Sequence, residues 1–319
     1  MPRKILPRYT LGLLKNWWFK AGCVCVCFVV VLFIFSHSRP VLFFHNERFT
    51  IVWPTNPVWV TSINRQNGSV SLVRIPSDTY VIVPAGFGSF RIGVLWKLGM
   101  IEKLGGKILA AATQTFLGVP VDGWIGVKGE TPTVDGSSAE VIHTLTSMVW
   151  PWNIKYSTQT NIRPIDRILL WFFLSGRTVG HIISVDLSKE NVVIPTILAD
   201  GTAAEIGDPE LVDKVTQRLF NETAFQTESL VVRIYNGSGV AGAGHEVARL
   251  LTNIGVNVVG VGNTDERDTC QFDVPKQYME KNIVRRISSL YPCSLNPKTD
   301  EGKEAQLYLG KNIRVGGFL

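Results

Sequence analysis

The stretch WWFKAGCVCVCFVVVLFIF, residues 17–35, constrains this chain more than any other feature. It carries one charge, Lys20, near one end, where a long side chain can reach the membrane interface while its stem stays apolar. At 1.5 Å per residue a helix of this length spans about 28 Å, close to the hydrocarbon thickness of a bilayer. One membrane crossing is therefore expected, with Trp17 and Trp18 suited to the interfacial belt. A cleaved signal peptide is the competing reading, but no small-x-small site follows Phe35, and the bulky run RPVLFFHNERF comes next. Basic residues precede the helix and no acid occurs before Glu47, which places the N-terminus in the cytoplasm and everything after about residue 37 outside. The expected plan is a cytoplasmic basic tail at 1–16, a transmembrane helix at 17–36, a stalk at 37–54, and outer domains at 55–220 and 228–312.

Charge follows the same division. Of 32 basic and 26 acidic residues, seven basic ones and Glu47 alone fall in residues 1–48, which accounts for the whole net charge of +6. The outer part is balanced, and a nucleic-acid footprint is excluded as the expectation. Cys23, Cys25 and Cys27 lie inside the apolar run and read as small apolar residues or a lipidation site. Cys270 and Cys293 lie in the outer part and could pair in an oxidising envelope, a point the sequence leaves open.

The outer part alternates strand-like and helix-like runs, so the expected class is α/β: a mixed-sheet core followed by a small C-terminal α/β domain. VWVTSIN and GSVSLVRIP flank RQNG, a hairpin turn of the Asn-Gly kind, and DTYVIVPAG continues as strand. Helical spacing runs from Ile92 to Phe116 around the break KLGG, and LGVPVDGWIGV then enters a strand. SSAEVIHTLTSM reads as a helix capped by Ser137 or Ser138. RPIDRILLWFFLSG reads as a buried or interfacial helix, too short to span a bilayer. HIISVDL and NVVIPTI read as strands, and DPELVDKVTQRLFNE as an amphipathic helix with Asp208 as N-cap and Pro209 at its first position. The polar stretch NETAFQTES marks a boundary. The remainder reads β-α-β-β-α-β, with Gly255 closing the first helix.

VVRIYNGSGVAGAGHEVARLL, residues 231–251, places Gly237, Gly239 and Gly242 at G-x-G-x-x-G spacing between a strand and a helix, with Asp265 past the next strand. That is the outline of a dinucleotide fingerprint. A domain of about 90 residues is too small for two paired mononucleotide halves, and an extracytoplasmic setting lacks such cofactors, so the glycines are expected to serve a tight turn. The run from Asn236 to Gly242, with Leu309 to Lys311 near the end, resembles the C-terminal domain of LytR-type proteins of the LytR-CpsA-Psr family over residues 228–312. The resemblance implies a role at the cell wall. Asn236, Gly237, Ser238, Gly239 and Gly242 are the candidate binding residues, because backbone donors at a helix start suit an anionic group.

Residues 56–127 resemble the catalytic core of the same family, which transfers polyprenyl-pyrophosphate-linked glycopolymer onto peptidoglycan; LGVPVDGWIGV fits its pattern closely. Such chemistry requires arginines around the leaving phosphates and a carboxylate holding magnesium. The resemblance puts Asp78 at the metal-holding position of an active site, with Arg91 in place of the family's lysine and Arg74, three residues before Ser77, as a compensating cation. The chain departs from the family at Ser77, where arginine is usual, at Asn56, where an acid is usual, and at Gly93, where asparagine is usual. Arg163, Asp166 and Arg167 stand in for a missing arginine-rich segment, and Trp96, Phe116 and Trp124 are candidates either to line or to fill a lipid tunnel. His143 and His181 are isolated, so no zinc site is expected. The expected protein is a single-pass membrane protein whose core keeps the fold and has lost much of its site, binding or organising cell-wall glycopolymer or peptidoglycan. The alternative is an active, magnesium-dependent phosphotransferase whose partner is a polyprenyl pyrophosphate lipid.

Overall fold

A computed structural model of the chain describes residues 20–26, 47–129, 131–150, 157–176, 182–198, 201–299 and 302–313. The chain divides into two units, Met1–His45 and Asn46–Leu319. In the first, residues 20–26 are helical, and the rest of the expected membrane crossing lies outside the described residues. Among the described residues no helix is long and apolar enough to cross a membrane.

The strand that organises the second unit lies where a stalk is expected. β1, Arg48–Trp53, is buried along its whole length, as is β2, Val58–Asn64. The unbroken run RFTIVW suits a strand covered on both faces, whose burial leaves no alternation to read. β2 turns through the expected hairpin into β3, Val70–Ile75. β6, Gly123–Val127, adds in parallel to β1, and β8, Ile182–Asp186, in parallel to β3. With β7, Thr158–Thr160, the order is β7-β6-β1-β2-β3-β8. The two tryptophans of this hairpin satisfy their N–H groups: Trp53 Nε1 donates to Thr61 Oγ1 at 2.9 Å and Trp59 Nε1 to the Val134 carbonyl at 2.8 Å.

The core on one side of this sheet includes residues from α1 (Leu95–Ile101), α2 (Lys107–Leu117) and α5 (Pro209–Phe220). The KLGG break between α1 and α2 has a packing cause, since a Cβ on Gly106 would meet the Trp124 indole. Trp96 and Trp124 meet edge to face at 5.6 Å and Phe116 packs on Gly207, so these aromatics are taken up in the core. α3, Ser138–Val149, starts in a full capping box of Ser137 and Glu140, and it packs on α4, Pro164–Ser175. Asp208 caps α5 ahead of Pro209 as its spacing predicts. The DTYVIVPAG strand does not extend the first sheet. As β4, Thr79–Val83, it joins β5 (Gly88–Arg91), β9 (Val193–Ile197) and β10 (Ala203–Gly207) in a second sheet ordered β5-β4-β10-β9.

The C-terminal strands β11 (Val231–Asn236), β12 (Asn257–Asn263), β13 (Gln271–Pro275), β14 (Ser294–Lys298) and β15 (Glu304–Leu309) form a third sheet, ordered β12-β11-β15-β13-β14. Its core includes buried residues of α7 (Ala243–Asn253) and α8 (Asn282–Leu290). β14 has the unpromising sequence SLNPK and is held by its parallel pairing with β13. Cys270 is fully buried and bonded to Cys293, which ties the starts of β13 and β14 together. Closing a loop of 23 residues in this way stabilises by about 3 kcal/mol through the unfolded chain.

The boundary expected in NETAFQTES is no free linker. It contains a short helix, α6 (Thr223–Glu228); Phe225 enters the C-terminal core, and Glu228 accepts from the backbone N–H of Asn282 and Ile283 at the start of α8. Arg286 of α8 reaches across to Asp122 at 3.0 Å, with side chains only 4% and 7% exposed. Asp122 also accepts from Thr50 N of β1 at 2.8 Å, which joins both cores through one carboxylate. Arg249 of α7 pairs with Asp213 at 2.8 Å and donates to the Thr115 and Phe116 carbonyls at the end of α2.

Breaking a buried ion pair leaves an uncompensated charge, so Asp122→Ala should lose about 3–5 kcal/mol in urea unfolding, whereas replacing Asp122 and Arg286 together by apolar residues should lose far less. Glu222 lies beside the same pair, its Oε1 3.9 Å from Arg286 Nε. Burial, opposed by Arg286 and Arg48, pushes its carboxyl up from 4.5 to about 7. Between those values the folded chain holds a proton that the unfolded chain has released, so stability should fall as pH rises through that window. Urea midpoints measured from pH 5 to pH 8 should show this slope in the wild type, and Glu222→Gln should flatten it.

Candidate functional site

The residues nominated in the core lie where β3 and β5 end and β4 and β10 begin, and most of them are already engaged. Asp78 directly precedes β4 and Arg91 ends β5, whose register sets Arg91 opposite Tyr80. Arg91 Nη1 donates to Asp78 Oδ1 at 3.1 Å, Nη2 donates to the Ala203 carbonyl at 2.8 Å, and the guanidinium lies 5.9 Å from the Tyr80 ring centre. Ser77 Oγ donates to Asn56 Oδ1 at 2.7 Å, so the two departures from the family pattern pair with each other as a neutral contact. The third departure is also steric, because a Cβ on Gly93 would strike Ser77.

Arg74 is held differently. It donates to both carboxylate oxygens of Asp186 at 3.3 Å, across the β3–β8 pairing, and lies 3.6 Å from Asp135. Glu205 of β10 connects the two arginine groups: its carboxyl is raised by burial, then by the charge of Asp78, and lowered by Arg74. Asp135, Asp186 and Glu205 were not nominated from sequence. Glu205 pairs with Thr79 between strands about 125 residues apart, and no local pattern reports such a pairing.

Asp78 is paired with Arg91, and among the described residues no group of three or more acidic, His or Cys side chains is placed to hold a metal ion. Arg167 is not part of the site: it donates to the carbonyls of Met148, Val149 and Trp150, capping the end of α3, and its neighbour Asp166 is 1% exposed.

The glycine turn before α7 is closed from within. Asn236 Oδ1 accepts from the backbone and hydroxyl of Ser238, Ser238 Oγ accepts from Val240 N, and Gly237 N donates to the Leu309 carbonyl at 3.1 Å. A Cβ on Gly237 would press on the Asp265 carbonyl, so Asp265 closes the turn with its backbone. Gly242 takes φ 80° as the helix begins, a conformation that favours glycine. Glu266 approaches Gly239 and pairs with Lys311 at 2.9 Å. The turn positions a strand and a helix, and the Asn236 and Ser238 side chains bond within it.

With this geometry in view, residues 229–312 match the family model described as LytR cell envelope-related transcriptional attenuator, LytR_C. This part of the chain is similar to LytR_C domains. The LytR_C sheet and its glycine turn are the ones the resemblance implied. No curated protein sequence matches the chain. Similar folds include Bacillus subtilis TagV, at 13% identity over 53% of this chain and 94% of that one with a TM-score of 0.38. They also include B. subtilis TagT, at 15% identity over 55% and 90% with a TM-score of 0.40. A TagT structure bound to LIIa-WTA is similar at 14% identity over 55% and 90%, also at 0.40.

The Arg91–Asp78 pair is a surface pair, with side chains 34% and 67% exposed. Such pairs contribute at most about 1 kcal/mol, so Arg91→Ala should shift the urea midpoint only slightly, in contrast to Asp122→Ala.

Proposed function

We propose that this is a membrane-anchored protein of the cell envelope, a divergent relative of LytR-CpsA-Psr proteins that binds or organises cell-wall glycopolymer or peptidoglycan without turning it over. The LytR_C match across 229–312 carries the assignment to the envelope. The apolar run at 17–35 supports a single anchor with the domains outside, and the Cys270–Cys293 bond supports an oxidising compartment. The description of the matched family also speaks of transcription, but the outer part carries as many acidic as basic residues, a balance that does not favour nucleic acid.

The non-catalytic part of the proposal rests on the occupied cations. Displacing a pyrophosphate needs guanidinium groups free to take up charge in the transition state. Here Arg91 is spent on Asp78 and a carbonyl, Arg74 is spent on Asp186 and Asp135, and the contact between Ser77 and Asn56 carries no charge.

The exposure of Arg91 and Asp78 favours one second reading, an active phosphotransferase in which substrate phosphates displace Asp78 from Arg91. The full chain in detergent, given a polyprenyl-pyrophosphate-linked saccharide with and without magnesium, separates the two. With a peptidoglycan fragment present as acceptor, the expected outcome is binding with no release of polyprenyl monophosphate above background. Magnesium-dependent release that disappears in Asp78→Ala would establish the transferase instead.

A further inference from the structure

The LytR_C sheet buries one face, with Val232, Ile234, Ala305, Leu307 and Leu309 in its core. Strand alternation therefore turns Arg233, Tyr235, Glu304, Gln306 and Tyr308 to the opposite face. The pairing register sets Gly262, Tyr235, Tyr308 and Gln271 side by side in one row, and Gly260, Arg233, Gln306 and Asp273 in the next. Tyr235 and Tyr308 stack with ring centres 4.9 Å apart and planes 13° from parallel, and the Arg267 guanidinium lies 4.7 Å from the Tyr308 ring centre.

Around this stack the polar groups are already ordered. Gln271 Nε2 and Asn296 Nδ2 both donate to Asp273 Oδ1, at 2.7 and 3.2 Å, and the Tyr308 hydroxyl donates to Gln306 Oε1 at 3.0 Å. Groups ordered before binding lose less freedom when a ligand arrives. β12 supplies Gly260 and Gly262, and glycine within a strand weakens it while letting another group come close to the backbone. A side chain at 262 would lie against the Tyr235 ring.

Charge identifies the partner. Arg233 is matched by Glu304 at 2.8 Å, and Arg267 and Lys298 are set against Asp273, so among the described residues these give a surplus of one cation. A single-stranded nucleic acid stacks on aromatic sheet faces too, but it needs a row of cations for its phosphates, and so does any polyanionic wall polymer. A neutral pyranose ring needs what is present: an open aromatic face, that of Tyr235 on the Gly262 side of the stack, with planar amides and a carboxylate placed for hydroxyls.

We propose that this face binds a neutral glycan strand, one of whose pyranose rings packs on the open Tyr235 face above Gly262, held in place by the Tyr308–Arg267 side of the stack, and whose hydroxyl and acetamido groups bond to Asp273, Asn296 and Gln306. The proposal deepens the polymer-binding function above and rests on it for the class of partner. Full chain in detergent, titrated calorimetrically with a β-1,4-linked N-acetylglucosamine hexamer, should bind saturably. Tyr235→Ala and Tyr308→Ala should each weaken binding about tenfold or more, while Tyr235→Phe and Tyr308→Phe stay within about threefold. Melting temperatures close to wild type would show that the alanine variants are folded. The proposal is overturned if wild type does not bind the hexamer at millimolar concentration, or if the folded alanine variants bind it as well as wild type. It is equally overturned if an oligonucleotide binds more tightly and loses its binding in the same variants. Because the hexamer is neutral and carries no phosphate, failure here is distinct from failure of the core's phosphate-release test.

Discussion

Asp122 is the carboxylate on which the rest of the molecule depends. It receives Thr50 N from the central strand and Arg286 from the C-terminal domain, in a setting with almost no access to water. A charge buried this far is tolerated only while paired, so the two cores are coupled by electrostatic necessity as well as by packing. Asp122 belongs to the segment LGVPVDGWIGV, which most closely fits the transferase-like pattern. In this chain its side chain serves the junction between domains.

Much of the fold is written locally. The hairpin at RQNG, the capping box at Ser137, the Asp208–Pro209 helix start and the α/β order of the C-terminal domain each follow from a few neighbouring residues, and each is found. What escapes is non-local. β1 is buried on both faces and follows a more apolar run, so neither alternation nor composition separates it from a stalk. β14 owes its conformation to a disulfide and a parallel neighbour rather than to SLNPK. The transfer of β4 to a second sheet depends on β10, far along the chain.

The candidate site divides along the same line. Asp78, Arg74 and Arg91 were legible because a family pattern nominates them, yet the groups that occupy the arginines, Asp135, Asp186 and the Ala203 carbonyl, come from distant loops and strands. The glycine turn shows the converse. Its spacing is suggestive, but the Asp265 carbonyl, the Asn236 side chain and Glu266 close it, and spacing says nothing of what approaches from elsewhere.

Glu228 and Phe225 lie just ahead of the first LytR_C strand, yet one holds the start of α8 and the other fills the domain's interior. A fragment cut at residue 229 would strip two backbone amides of their acceptor and open a void the size of a phenyl ring. The matched sequence thus begins after two side chains that serve the same domain's interior and helix start.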